Sequence, residues 1–265
     1  MAADDPEGSA PPPRPDPWAR LRRATPARIG LGRAGDAPPL QAVLAFQLAH
    51  ARARDAVHAP LDTAALIAGL GGAPHHLVRS QAVERGLYLR RPDLGRRLAE
   101  ESRAALPAGR WDAVFVIADG LSATAVQRHA VPLWEATLAR LPDWRLAPVV
   151  VATGARVALS DEIGEALGAD LVVMLIGERP GLSVADSLGV YLTWAPRPGL
   201  RDAARNCISN IHLFGGLSYA AAAAKLAWLM TEARHRRLTG VGLKDDAPAA
   251  LGDGEAAPGI APPEA

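Results

Sequence analysis

The chain has a single cysteine, Cys207, among 265 residues. One thiol excludes an intramolecular disulfide, an iron–sulfur cluster held by one chain and a zinc–thiolate site. It suits a reducing compartment, and a cytoplasmic location is expected. Lysine is nearly absent: Lys225 and Lys244 stand against 27 arginines. The formal net charge is still only +1, so no global field draws the molecule to nucleic acid or to a membrane surface. The arginine excess, with much Ala, Gly and Pro, reads as GC-rich codon usage. Long hydrophobic runs are missing too. None reaches the roughly 20 residues that span a bilayer, and "YAAAAAKLAWLM" is mostly Ala, with Lys225 inside it. The opening "MAADDPEGSAPPPRPDPW" lacks the basic-then-apolar pattern of a secretory signal.

Catalytic signatures are also scarce. "GLSAT", "GLSVA" and "GLSYA" each lack the final glycine of a serine-hydrolase elbow. There is no Walker A motif, and the seven histidines form no zinc pair with a second ligand set. The arginine-rich "VRSQAVERGLYLRRPDLGRRLAEESR" includes Tyr88. Glu84, Asp93, Glu100 and Glu101 alternate with the arginines, which reads as a solvated or subunit-binding face rather than a phosphate track.

One motif that is present needs its context tested. "IGLGRAG" holds G-x-G-x-x-G at Gly30, Gly32 and Gly35, with Asp55 further on. A dinucleotide loop needs a strand before the first glycine and a helix containing the third. Here Pro26 lies upstream and "DAPP" follows Gly35, so the helix is broken where it should begin. A connector or contact loop is expected instead.

Residues 1–17 and 243–265 are rich in proline, alanine and acids and read as disordered tails. Residues 18–108 read as a helical region without a strand. "LQAVLAFQLAHARARDAVH" starts behind Pro38 and Pro39, "DTAALIAGLGG" carries Asp62 as N-cap, and "PDLGRRLAEESRAAL" forms a third helix. From Trp111 to 242 the texture changes. "DAVFVIADG", "LAPVVVATG", "DLVVMLIGERPG" and "GVYLTWAP" are apolar runs separated by amphipathic segments at Ser122–Leu141, Asp161–Leu167 and Ser218–Leu238. Strands buried on both faces and alternating with helices predict an α/β fold, a mostly parallel, Rossmann-like sheet with flanking helices. Ligands collect beyond the carboxyl ends of such strands, here Asp119–Ser122, Gly154–Val157 and Gly177–Ser183. Ser122 and Ser218 read as helix N-caps, and Ser183 with Asp186 as a weak capping box.

Several strings taken together resemble the small (light) subunits of ethanolamine ammonia-lyases. They are "ARIGLGRAG", "FQLAHARARDAVH", "YLRRPDLGRRL", "FVIADGLSATAV", "RVALSDEIGEALGA", "LIGERPGLSVADSLGVYLTWAPRPG", "RNCISNIH" and "GLSYAAAAAKLAWLM". The resemblance covers about residues 20–238, in order. It implies a subunit of an adenosylcobalamin-dependent lyase that converts ethanolamine to acetaldehyde and ammonia by radical chemistry. It further implies a large, heavy subunit carrying the substrate site, large–small heterodimers in a higher oligomer and, in some bacteria, a microcompartment. No catalytic residue and no protein-held metal are expected on this chain; the cobalt stays within a base-on cofactor. The chain indeed lacks D-x-H-x-x-G, the signature of a histidine replacing the cofactor's lower base. No nucleic-acid or membrane partner is expected.

The resemblance carries cobalamin contacts onto Val157 of "RVAL", Glu178 of "GERPG" and Cys207 of "RNCISN". Each has a plainer alternative: Val157 in a core, Glu178 in a salt bridge with Arg179 or capping a loop, Cys207 a buried structural thiol. Asp119, Gly120 and Ser122 are candidates for the same cavity. Region 18–108 is expected to contact the large subunit, and 109–242 to form the cobalamin-binding domain. Two other readings stay open: a dinucleotide-binding oxidoreductase and a cofactor-free interaction module.

Overall fold

A computed structural model describes residues 16–25 and 27–246. The expected disorder of 1–15 and 247–265 lies outside the described residues. Two compact units are distinguished, Met1–Ala45 with Gly254–Ala265, and Phe46–Asp253.

The first unit contains helix α1 (Ala19–Ala24) and the glycine loop. Gly30, Gly32 and Gly35 all have positive φ. A Cβ at Gly30 would sit 2.1 Å from Trp18 Cγ, so only glycine lets the chain pass the indole. Arg22 donates to the carbonyls of Ile29 and Gly30. No strand precedes the loop among the described residues, and helix α2 (Leu40–His58) begins only after Pro38 and Pro39. The glycines therefore shape a turn packed on α1, not a phosphate cradle.

The second unit is built on one six-stranded sheet. After α2 come α3 (Thr63–Gly69), β1 (His75–Arg79), α4 (Arg85–Arg90) and α5 (Glu100–Ala104). Then follow β2 (Trp111–Ala118), α6 (Ala123–Leu138), β3 (Val149–Thr153), α7 (Leu159–Leu167) and β4 (Ala169–Gly177). Next come β5 (Leu188–Trp194), β6 (Arg205–Ile211) and α8 (Tyr219–Arg236), followed by a 3-10 turn at Gly240–Gly242. The strand order is β1-β3-β2-β4-β5-β6. Alternate residues of the central strands feed two separate cores. Phe115, Ile117, Val151, Val173 and Leu175 pack under α6 and α8. Val114, Val116, Val150, Val172 and Met174 pack with Leu159, Ile163 and Leu167 of α7. Both faces are covered, which is why β2 and β4 read as unbroken apolar runs. Each fully buried Val, Leu, Ile or Phe contributes about 1.5–3 kcal/mol.

The structure corrects four expectations. The sheet is mixed rather than mostly parallel: β1, β3, β2 and β4 pair in parallel, but β4–β5 and β5–β6 are antiparallel. A parallel connection needs a crossover of a dozen or more residues, usually a helix. The link from Gly177 to Leu188 is shorter and has no helix. Second, β1 lies within the segment read as helical and pairs in parallel with β3 at the sheet edge. Third, "PDLGRRLAEESRAAL" is not one helix. A short 3-10 turn at Leu94–Arg96 and the separate α5 flank an extended link. Gln81 N–H donates to Arg97 O, and Leu98 N–H to the Glu162 carboxylate, and these tertiary bonds hold the link open. Fourth, Ser183 caps no helix. Ser122 and Ser218 do cap α6 and α8, accepting from Ala125 N and Ala221 N at 3.2 Å each, and Asp62 caps α3.

Candidate functional site

Because β2, β3 and β4 run in parallel with Ala118 beside Ala152 and Ile176, their carboxyl ends emerge on one edge of the sheet. Asp119, Gly154 and Glu178 leave that edge together. Helix α6, which follows β2, packs on one face, and α7, which follows β3, on the other. The backbone therefore parts between these strands, the kind of crevice where ligands bind in open α/β sheets.

Asp119 sits at the carboxyl end of β2. Its Oδ1 accepts from Gly120 N and Ala155 N at 2.9 Å, and its Oδ2 from Gly154 N at 2.8 Å. Arg85 Nη1 lies 3.5 Å from Oδ2. Burial pushes the Asp119 carboxyl above the usual carboxylate range, against the opposing pull of those N–H groups and of Arg85. Beside it, β2 and β4 approach closely. Gly120 has φ +55°, and a Cβ there would fall 2.3 Å from Gly177 O; one on Gly177 would fall 2.1 Å from Ser122 O.

A cavity of about 440 Å³ opens over these ends, lined by Tyr88, Gly120, Val157, Ile176, Glu178 and Tyr191 among others. Val157 and Glu178 are thus brought together. Val157 is half-buried and also packs on the α7-side core. Glu178 is half-buried; its Oε2 accepts from Ser187 Oγ and, at 3.3 Å, from Asn210 N. Its partners are these groups rather than the neighbouring Arg179. Oε1 takes part in neither bond and lies beside Gly189, 3.0 Å from where a Cβ there would sit. Asn210 adopts φ +63°, a left-handed turn that aims its N–H.

Cys207 does not line the cavity. It sits on β6 directly across from Tyr191 of β5, whose ring does. Cys207 is exposed, so it is not a buried structural thiol. The sheet around it still withdraws enough water to push the thiol up, and the Tyr191 hydroxyl opposes that rise. Of the further candidates, Gly120 lines the cavity and Asp119 does not, while Ser122 caps α6 and donates to Ala185 O.

Sequence reasoning missed Tyr88 and Arg156 as site residues. Tyr88 is fully buried and donates to Ala155 O at 3.1 Å. The guanidiniums of Arg85 and Arg156 both lie over its ring, 4.7 and 4.3 Å from its centroid. Burial pushes its hydroxyl up to about 12. The only signal was an aromatic within an arginine run, and nothing local pointed to a partner 68 residues away.

Comparison with known proteins gives consistent matches. Residues 15–244 match the family model described as ethanolamine ammonia-lyase light chain (EutC). The ethanolamine ammonia-lyase small subunit of Azotobacter vinelandii is 58% identical over 249 residues, covering 90% of this chain and 92% of that protein. The small subunit from Pseudomonas aeruginosa is 55% identical over 251 residues (91% and 92%), and that from Pseudomonas fluorescens Pf0-1 is 54% identical over 246 (88% of each).

Proposed function

The chain belongs to the ethanolamine ammonia-lyase light-chain (EutC) family, and from that premise we propose that the cavity at the strand ends holds part of an adenosylcobalamin cofactor. As a small subunit of a lyase that acts on ethanolamine, it implies a large-subunit partner. The observation that carries the reading is the meeting of Val157 and Glu178 in one cavity, where Leu121 and Ile176 add apolar surface beside the carboxylate. Corrinoids suit such a cavity: their ring is broad and apolar, and amide N–H₂ donors fringe it. When bound, the cofactor supplies the organic radical that begins the reaction.

This chain's residues bind and orient. Glu178, anchored through Oε2, offers Oε1 to an amide of the corrin rim. Val157 and Ile176 give apolar contact, and Tyr191 spaces the ring from Cys207. Gly120 and Gly177 add no side chains to the cavity. None of these groups moves a proton in the reaction, and the chemistry belongs to the large subunit. The large–small pairs assemble into a higher oligomer in the cytoplasm, inside a microcompartment in some bacteria. Residues 18–108 contact the large subunit; Tyr88 of that region also serves the cavity of the α/β body. Among the described residues no helix is long and apolar enough to cross a membrane.

The test is cyanocobalamin binding by the complex with its cognate large subunit, followed by absorbance. Glu178→Ala should raise the dissociation constant about 10- to 100-fold, the loss of one charge-assisted hydrogen bond, with assembly intact. An unchanged constant in an intact complex would remove the cavity from the cofactor site.

A further inference from the structure

A second cavity of about 440 Å³ adjoins the first. Its lining includes Pro92, Arg96, Arg156, Val157, Arg201 and Asp202. Arg156 and Val157 line both cavities and form the wall between them. Three guanidiniums face one carboxylate here, an excess of positive charge that the near-neutral chain as a whole does not have.

Arg96 and Arg201 are exposed and Arg156 is half-buried. Among the described residues neither Arg96 nor Arg201 is in an ion pair with any carboxylate. Arg156 makes one long bond, Nη2 to Tyr88 O at 3.4 Å, and its Nε is buried with no acceptor. A buried guanidinium N–H without an acceptor is uncommon in native structures and asks for an explanation. The nearby acids do not supply one. Asp161 is gripped at both oxygens by Arg205, and Glu162 by Arg97 and Leu98 N. Asp202 is fully exposed and lies 3.9 Å from Arg205 Nε.

Arg156 is also held in place. Its backbone N–H donates to Gly95 O at 2.8 Å, and its guanidinium lies over the buried Tyr88 ring. A planar fork held over an aromatic ring is suited to recognising phosphate oxygens. Ala158, the N-cap of α7, lines the same cavity and carries no side-chain cap, so the positive end of that helix adds to the field.

We propose that this cleft is a phosphate subsite that grips the phosphodiester in the nucleotide tail of the cobalamin whose corrin lies against Val157. The proposal rests on the corrin reading above. It accounts for the shared wall: one residue pair, Arg156–Val157, faces the charged tail on one side and the apolar ring on the other.

Two probes separate the tail from the ring. Cyanocobalamin carries the phosphodiester; cobinamide keeps the corrin and lacks phosphate, ribose and base. Both are titrated into the complex with the large subunit, as wild type, Arg156→Gln, the double variant R96Q/R201Q and Glu178→Ala. R96Q/R201Q should weaken cyanocobalamin about tenfold and leave cobinamide within about twofold. Arg156 also lines the corrin cavity, so Arg156→Gln should weaken cyanocobalamin about tenfold more than cobinamide. The double variant, which alters only exposed side chains, guards against a folding defect in Arg156→Gln. Equal weakening of both probes, or no change in either, overturns the subsite. Inorganic phosphate titrated into the cobinamide-loaded complex identifies a free-anion site. Loss of phosphate binding in the variants with cyanocobalamin unaffected assigns the cleft to a free anion and overturns the tail assignment. Glu178→Ala should weaken both probes alike; if it weakens neither, the corrin reading itself has failed, whatever the arginine variants do.

Discussion

Replacing Asp119 with Asn tests whether one carboxylate holds the loop that presents Arg156 and Val157. The carboxylate accepts three backbone N–H bonds at 2.8–2.9 Å and faces Arg85. An amide has one oxygen. Seated towards Gly120 and Ala155 it keeps two bonds and turns its N–H₂ against Gly154 N–H and Arg85. One buried N–H then lacks an acceptor, at a cost of about 1–3 kcal/mol. The amide also carries no charge, and burial has made ionising this carboxyl costly, so part of the loss is offset. The expected net cost is about 1–2 kcal/mol, which is about 5- to 30-fold in local opening. Asp119→Ala strands all three N–H groups and should cost about 3 kcal/mol or more. Amide hydrogen exchange on the assembled complex, read on peptides covering 150–158, measures this directly. Unchanged exchange at Gly154 and Ala155 in both variants would refute the argument. A pH profile adds a check of sign. With the folded pKa raised, the unfolded chain loses this proton first as pH climbs. The stability it contributes is complete below the ordinary value of about 3.9 and is lost as pH rises through the folded value. Asp119→Asn should therefore decline less steeply than wild type over that interval.

Three other perturbations probe the same framework. Gly177→Ala puts a methyl 2.1 Å from Ser122 O and 2.7 Å from Asp119 O, both rigid backbone; a loss of about 3 kcal/mol is expected, and an unshifted thermal midpoint would contradict it. Arg205→Ala leaves Asp161, whose side chain is 2% exposed, without its paired bonds of 2.6 and 2.7 Å. The expected cost is about 3–5 kcal/mol by calorimetry, and replacing Asp161 with Leu as well should recover much of it. His129 is fully buried; Asp186 O beside Nε2 can only accept, so Nε2 carries the proton and Nδ1 accepts from Tyr219 Oη at 2.6 Å. Burial holds its pKa below the ordinary range, in spite of Asp186 and with a small push from Arg128. Stability from this group is present above about pH 6.5 and lost as pH falls through the lower folded value. Exchange of residues 183–187 should quicken below about pH 6, and a profile matching that of His129→Gln would sink the assignment.

The four apolar strands β2 to β5 were legible because burial on both faces leaves continuous Val, Ile and Leu runs ending in polar or glycine residues. β1 and β6 were not. "HHLVR" is a five-residue edge strand with Val78 as its one buried residue, and "RNCISNI" buries only Arg205, Ile208 and Ile211. Neither has an apolar run to betray it. Edge pairing supplies their order, and that pairing depends on β3 and β5 already being in place. The cavity was legible only in part. The strand-end rule pointed to loops that line the cavity, and family resemblance singled out Val157 and Glu178 within them. Cys207 shared the resemblance but stands one side chain away, behind Tyr191.

By itself the chain's order of residues determined which segments form the central strands and long helices, where Ser122, Ser218 and Asp62 cap, and which family the chain belongs to. Those properties follow from local periodicity and short motifs. The tertiary structure alone decided that β5 turns back antiparallel, that Arg85 and Arg156 both lie over Tyr88, and that Asp119 ties β2 to the loop after β3. The last two join residues far apart in the chain, and burial then sets the strength of each contact. No local pattern encodes that distance or that dielectric.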